Sequence, residues 1–188
     1  HNSGRRQRQM CIRDRNQIAK EKLEEVFYEK ELDKVALMDI KEPEFEFTNP
    51  ESFILAVARC IDYINLTTDR RNRVPKSIII AMAGVESAWG TSRFAKEGNN
   101  LFGVRTWDLT SPHMKPLAIP DAKFGLKKYA TKCKSIKDTI NILNNHPAYE
   151  KFREERVKQI KDGKWDYQKL LAGIKAWSTN EKYSKMIY

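Results

Sequence analysis

The chain has 188 residues, of which 40% are hydrophobic and 32% charged, and its formal net charge is +10. That length suits one domain, alone or with an N-terminal extension, and the apolar fraction can fill one core. No stretch approaches the ~18 consecutive apolar residues of a membrane-spanning helix, so a transmembrane helix is excluded.

Residues 1–15 hold Arg5, Arg6, Arg8, Arg13 and Arg15 against Asp14, which is +4 and leaves +6 for the remainder. The segment has no hydrophobic period, and RQMCIRDR resembles translated adapter sequence, so it is expected to be non-native and to play no part in the fold. Residues 16–48 are expected to form an exposed helix followed by a linker. Leu23, Val26, Phe27, Leu32, Val35 and Ala36 give the helix a loose apolar stripe, and Pro43 opens an extended stretch containing Phe45 and Phe47.

The compact domain is expected over residues 49–188. Asn49 suits an N-cap and Pro50 the first helical position. Phe53, Ile54, Val57, Ile61 and Ile64 then recur at helical spacing. After the polar turn TTDRRNR, Pro75 opens a second helix through Ile78, Ile79, Met82 and Val85, which stops at Gly90. Glycines and prolines cluster from Gly98 to Gly125. Strand-like content at Val104–Trp107 and Lys123–Tyr129 reads as a small β-hairpin or flap. Helices resume with Ile136, Ile140 and Leu143, where Ser135 and Asp138 are expected to form a capping box. His146-Pro147 breaks that run. Further helices carry Tyr149, Phe152 and Val157, then Leu170, Leu171 and Ile174 after a cap at Asp166, then a short last helix after Asn180. The fold class is α+β, mainly α. Of the three cysteines, Cys11 lies in the basic segment; no CxxC spacing occurs, and a Cys60–Cys133 disulfide is not expected.

Chemistry concentrates between Pro75 and Trp107. Ile79, Met82, Ala83 and Glu86 share one helix face, apolar except for Glu86. A carboxyl there is either desolvated or at the floor of a cleft. Low dielectric and the negative end of the helix dipole both favour its neutral form. General-acid cleavage of a glycosidic bond needs such a proton. A Glu in a last helical turn is otherwise a solvated or salt-bridged residue, so its neighbours decide. Trp89, Gly90, Phe94, Phe102 and Trp107 place aromatic rings and flexible backbone beside it, as a sugar-binding cleft requires.

The strings ESAWGTSRFA and NNLFG, at their spacing here, resemble the signature of the glycoside hydrolase family 73 glucosaminidases. The resemblance is to the Bax-type branch and to the glucosaminidase part of FlgJ, and it runs from about Ile64 to the end. NNHPAYEKFREER resembles a further family segment and WSTNEKYSKMI its closing motif. The resemblance implies a lysozyme-like fold and cleavage of peptidoglycan glycan strands after N-acetylglucosamine, with Glu86 matching the catalytic acid and Tyr183 the second Tyr of the closing motif. At that motif's first Tyr position stands Trp177, which keeps a stacking face without a hydroxyl. Relatives carry a second carboxylate in the flap, but no Glu occurs between Gly98 and Tyr149. Asp108 and Asp121 are the flap candidates for a catalytic base, each also readable as a turn residue. Substrate assistance or a lytic route would need no second carboxylate.

Ser87, Trp89, Asn100, Phe102, Trp107 and Trp177 are the expected substrate-binding set, with core packing the competing reading for Trp89. His113 and His146 read as flap and turn residues. No His, Asp and Glu set has metal-ligand spacing, and no metal or cofactor is expected. A catalytically weak wall-binding module and a lytic transglycosylase are the alternative functions. The positive charge also suits nucleic acid, but no DNA- or RNA-binding motif accompanies it, so no nucleic-acid partner is expected. The substrate places the protein, expected to be a monomer, in the periplasm or outside the cell.

Overall fold

The structure, a computed structural model, describes residues 40–119, 121–180 and 182–188. The expected basic segment and leading helix lie outside the described residues. Residues Glu42–Tyr188 form one compact unit.

Helix α1 (Pro50–Asn65) begins as its sequence predicts: the Asn49 side chain accepts from the Ser52 amide at 2.8 Å, and the Ser52 hydroxyl accepts from the Asn49 amide at 3.0 Å. It buries Phe53, Val57, Cys60, Ile61 and Ile64. Helix α2 (Lys76–Ser87) buries Ile78, Ile79, Met82 and Ala83 and packs on α1. A short α3 (Arg93–Gly98), capped by Ser92, falls between Gly90 and the flap, where the sequence analysis assigns no element. Helix α4 (Lys132–Asn145) also packs on α1, and α5 (Glu150–Asp162), α6 (Tyr167–Ala172) and α7 (Tyr183–Ile187) complete the helical body. One continuous core joins these helices.

The flap is a three-stranded antiparallel sheet rather than a hairpin. β1 (Arg105–Thr106) and β2 (His113–Met114) both pair with β3 (Gly125–Lys127), so the last strand lies in the middle.

Four expectations need correction. Asp138 does not cap α4; Thr131 does, its hydroxyl accepting from the Lys134 amide at 3.2 Å. Asp138 instead receives Lys127 Nζ (2.8 Å) and Tyr129 Oη (2.6 Å), which pins β3 to α4. Cys60 and Cys133 form a disulfide between α1 and α4, with Cα atoms 5.3 Å apart. A helix face and a Lys-rich stretch 73 residues apart give no sequence signal of this pairing; tertiary packing creates it. Residues 42–47 are a docked strap: Phe45 and Phe47 meet Phe53 edge-on at 5.8 and 5.2 Å, and Glu42 meets Thr131 and Lys134. Finally, α5 buries Phe152 together with Arg156 and Gln159, while Val157 is only half-buried.

Candidate active site

A cleft of about 920 Å³ opens between the helical body and the flap. Its floor carries Glu86, from the last turn of α2. Phe102, Tyr149 and Trp177 form one wall, and Arg105, Trp107 and Phe124 the flap side. Glu86 is the only carboxylate among the lining residues.

The turn after Glu86 explains how the carboxyl is held. Ala88, Trp89 and Gly90 lie consecutively in the left-handed region, at φ 50°, 55° and 78°. Two non-glycine residues there are costly, and surrounding contacts must fix them. Ser87, fully buried, does this: its hydroxyl donates to the Ala83 carbonyl at 2.6 Å and accepts from the Gly90 amide at 2.7 Å. The helix therefore stops one residue after Glu86, whose side chain is left half-buried at the cleft floor.

Burial pushes the Glu86 carboxyl above its ordinary value of 4.5, and the nearby Tyr183 hydroxyl opposes the shift. Tyr183 comes from α7, buried against the core. Its own titration is driven far upward, by burial first and then by Glu86. The two groups feel one another, yet Tyr183 Oη is buried without a hydrogen-bond partner among the described residues. A partly desolvated acid beside a buried hydroxyl can deliver a proton into the cleft.

The expected substrate-binding residues divide. Phe102, Trp107 and Trp177 line the cleft. Trp177 packs against Phe102 (6.4 Å between centroids) and Tyr149 (6.0 Å). Ser87, Asn100 and Trp89 are not among the lining residues. Asn100 is buried and braces the flap: its Nδ2 donates to the Val104 and Lys127 carbonyls, and its Oδ1 accepts from the Phe102 and Val104 amides. Trp89, 42% exposed, meets Phe53 edge-on and lies over Gly84, where an added Cβ would come within 3.0 Å of its ring.

Neither flap aspartate lines the cleft. Asp108 closes a turn, accepting from the Ser111 hydroxyl and from the Thr110 hydroxyl and amide, and these bonds push its carboxyl down to about 2. Asp121 is exposed.

Four cleft residues were not anticipated as a set. Arg105 and Phe124 pair across the flap, the guanidinium 4.5 Å from the ring centroid. Their signal was the two-residue alternation in Val104-Arg105-Thr106-Trp107, which turns Arg105 and Trp107 to one face while Thr106 is buried on the other. Tyr149 and His146 come from the NNHPAY string. His146 is a turn residue, its Nδ1 accepting from the Ala148 amide at 3.2 Å, and it also reaches the cleft.

The glucosaminidase family model, described as mannosyl-glycoprotein endo-beta-N-acetylglucosaminidase, matches residues 65–188. The protein bax of Escherichia coli (strain K12) is 30% identical over 119 residues, 63% of this chain and 42% of that protein, so the chain spans less than half of that curated relative. The catalytic domain of the autolysin Auto from Listeria monocytogenes superposes with a TM-score of 0.54 at 22% identity, covering 85% of this chain and 89% of that one. A C-terminally truncated glycoside hydrolase domain of FlgJ from Salmonella typhimurium gives 0.52 at 16% identity, covering 74% and 93%. These two likenesses establish the lysozyme-like, mainly helical α+β fold. The family match contains Glu86, the flap and the closing helix together, and by it this chain belongs to the glucosaminidase family.

Proposed function

We propose that the chain is a peptidoglycan hydrolase, an endo-β-N-acetylglucosaminidase that cuts cell-wall glycan strands with Glu86 as general acid. The observation that carries this reading is a single raised carboxyl on the floor of an aromatic-walled cleft of about 920 Å³. Exposed Trp107 and half-buried Trp177, the latter backed by the buried Phe102, offer the faces on which pyranose rings stack. The relatives support the substrate: Auto is described as an autolysin and FlgJ's domain as a glycoside hydrolase.

The second group is read from the flap. Asp108 is engaged within its own turn and Asp121 lies off the cleft. A one-acid route fits this arrangement. Glu86 protonates the glycosidic oxygen as the bond to the anomeric carbon breaks, and the carbonyl oxygen of the sugar's own 2-acetamido group closes on that carbon from the opposite face. The Glu86 carboxylate then takes a proton from the water that opens the resulting ring, which restores the acid. Tyr183, beside Glu86, tempers the rise of the carboxyl's titration. Action on this substrate places the chain at the cell envelope, and the Cys60–Cys133 disulfide suits the oxidising conditions found there.

Two measurements test the reading. Glu86→Gln should lower solubilisation of purified cell wall by ~10²–10⁴-fold with the fold retained. Activity within a few-fold of the parent protein would refute the assignment. Asp108→Asn and Asp121→Asn should each have a mild effect; a hundredfold loss in either folded variant would replace the one-acid route with a flap base.

A further inference from the structure

The flap side of the cleft carries a feature that proton delivery does not use. Three lining side chains can hold positive charge: Arg105, Lys127 and His146. Two are spoken for. Lys127 Nζ donates to Asp138, which neutralises it locally, and His146 Nδ1 is occupied by the Ala148 amide. Arg105 forms no salt bridge among the described residues and lies exposed on β1, with its guanidinium over Phe124. Phe124 in turn meets Trp107 at 6.4 Å. A guanidinium seated on an aromatic face keeps its N–H edges free and its plane fixed, which suits a carboxylate. The stack Arg105–Phe124–Trp107 thus sets an anion clamp beside an exposed ring available to a sugar.

We propose that Arg105 is a specificity residue that reads acidic substituents on the glycan, so that the cleft favours strands bearing carboxylates on lactyl groups or peptide stems over the same strands made neutral. This rests on the peptidoglycan reading and deepens it. Glu86 cleaves a bond common to charged and uncharged strands; Arg105 chooses between them.

The test separates binding from turnover. In the Glu86→Gln background, retention on insoluble cell wall is measured for two preparations of one wall, native and with its carboxyls amidated by carbodiimide and ammonia. The parent should hold the native wall about tenfold more tightly or better, the scale of one charge-assisted contact. Adding Arg105→Gln should make the two walls alike. Adding Lys161→Gln, an exposed α5 cation outside the cleft, should keep the difference, which removes bulk charge as the cause. No difference between walls in the parent, or an undiminished difference in Arg105→Gln, would overturn the proposal. Failure of the peptidoglycan reading would appear separately, as a protein with Glu86 intact that solubilises neither wall.

Discussion

At the residue scale, function and stability oppose one another at Glu86. Its carboxyl titrates above 4.5 because burial disfavours the charge. The folded state therefore binds the proton more tightly than the unfolded chain does. The stabilising protonated form is fully present below 4.5, and its contribution is lost as pH rises through the folded value. Glu86→Gln, neutral at every pH, should raise the melting temperature at neutral pH, with the gain shrinking as the pH falls through the raised folded value and gone once it is below 4.5. Melts across that range check this, and a constant or reversed difference would contradict it. Tyr183→Phe gives a second contrast. The hydroxyl is buried and unpaired among the described residues, so its removal should leave stability equal or slightly higher, since an unsatisfied buried hydroxyl costs ~1–3 kcal/mol. Without its opposing influence, the alkaline limb of the pH–activity profile should move to higher pH. A limb that stays in place would remove Tyr183 from the account. The helical period alone placed Glu86 on an otherwise apolar face. It could not show that Ser87 and Asn100 turn inward to hold the backbone, because sequence names polar residues without naming their partners.

At the element scale, the long helices were legible and the short pieces were not. Asn49-Pro50, His146-Pro147 and Asp166 punctuate the chain with local chemistry, and all three mark boundaries in the structure. The strap and the sheet order depend on distant contacts: Phe45 and Phe47 read as linker until Phe53 and Gly90 are seen beside them. Gly90 is the sensitive point, with φ at 78° and the Phe47 ring 2.5 Å from where a Cβ would stand. Gly90→Ala should cost about 1–3 kcal/mol, by left-handed strain and by displacing the strap. Denaturant unfolding measures this, and a loss under half of that range would show that the strap gives way freely. Trp107 behaves differently. It is 71% exposed, so Trp107→Ala should change stability by no more than ~0.5 kcal/mol while raising KM for cell wall. A large stability loss with unchanged KM would remove it from the substrate face.

For the whole molecule, the disulfide ties α1 to α4, two helices of the core that already pack on one another. Cys60 lies on α1, and Cys133, whose Sγ is 3.7 Å from the Pro43 carbonyl oxygen of the strap, lies on α4, which the flap reaches through Asp138. Closing a loop between residues 73 apart should contribute on the order of 2–4 kcal/mol, and the paired Cys60→Ala, Cys133→Ala variant should lose about that much. Fold class and the place of Glu86 in the cleft could be read before any coordinates, because a helical period and a dense local motif are properties of neighbouring residues. The disulfide, the buried Arg156 and the Arg105–Phe124 pair could not, since each joins side chains that only the closed core or sheet brings together. The central claim concerns which bond this assembled cleft breaks. Mass spectrometry of borohydride-reduced fragments from digested peptidoglycan addresses it directly: the account predicts reducing-end N-acetylglucosamine, absent with Glu86→Gln, whereas reducing-end or anhydro N-acetylmuramic acid would contradict it.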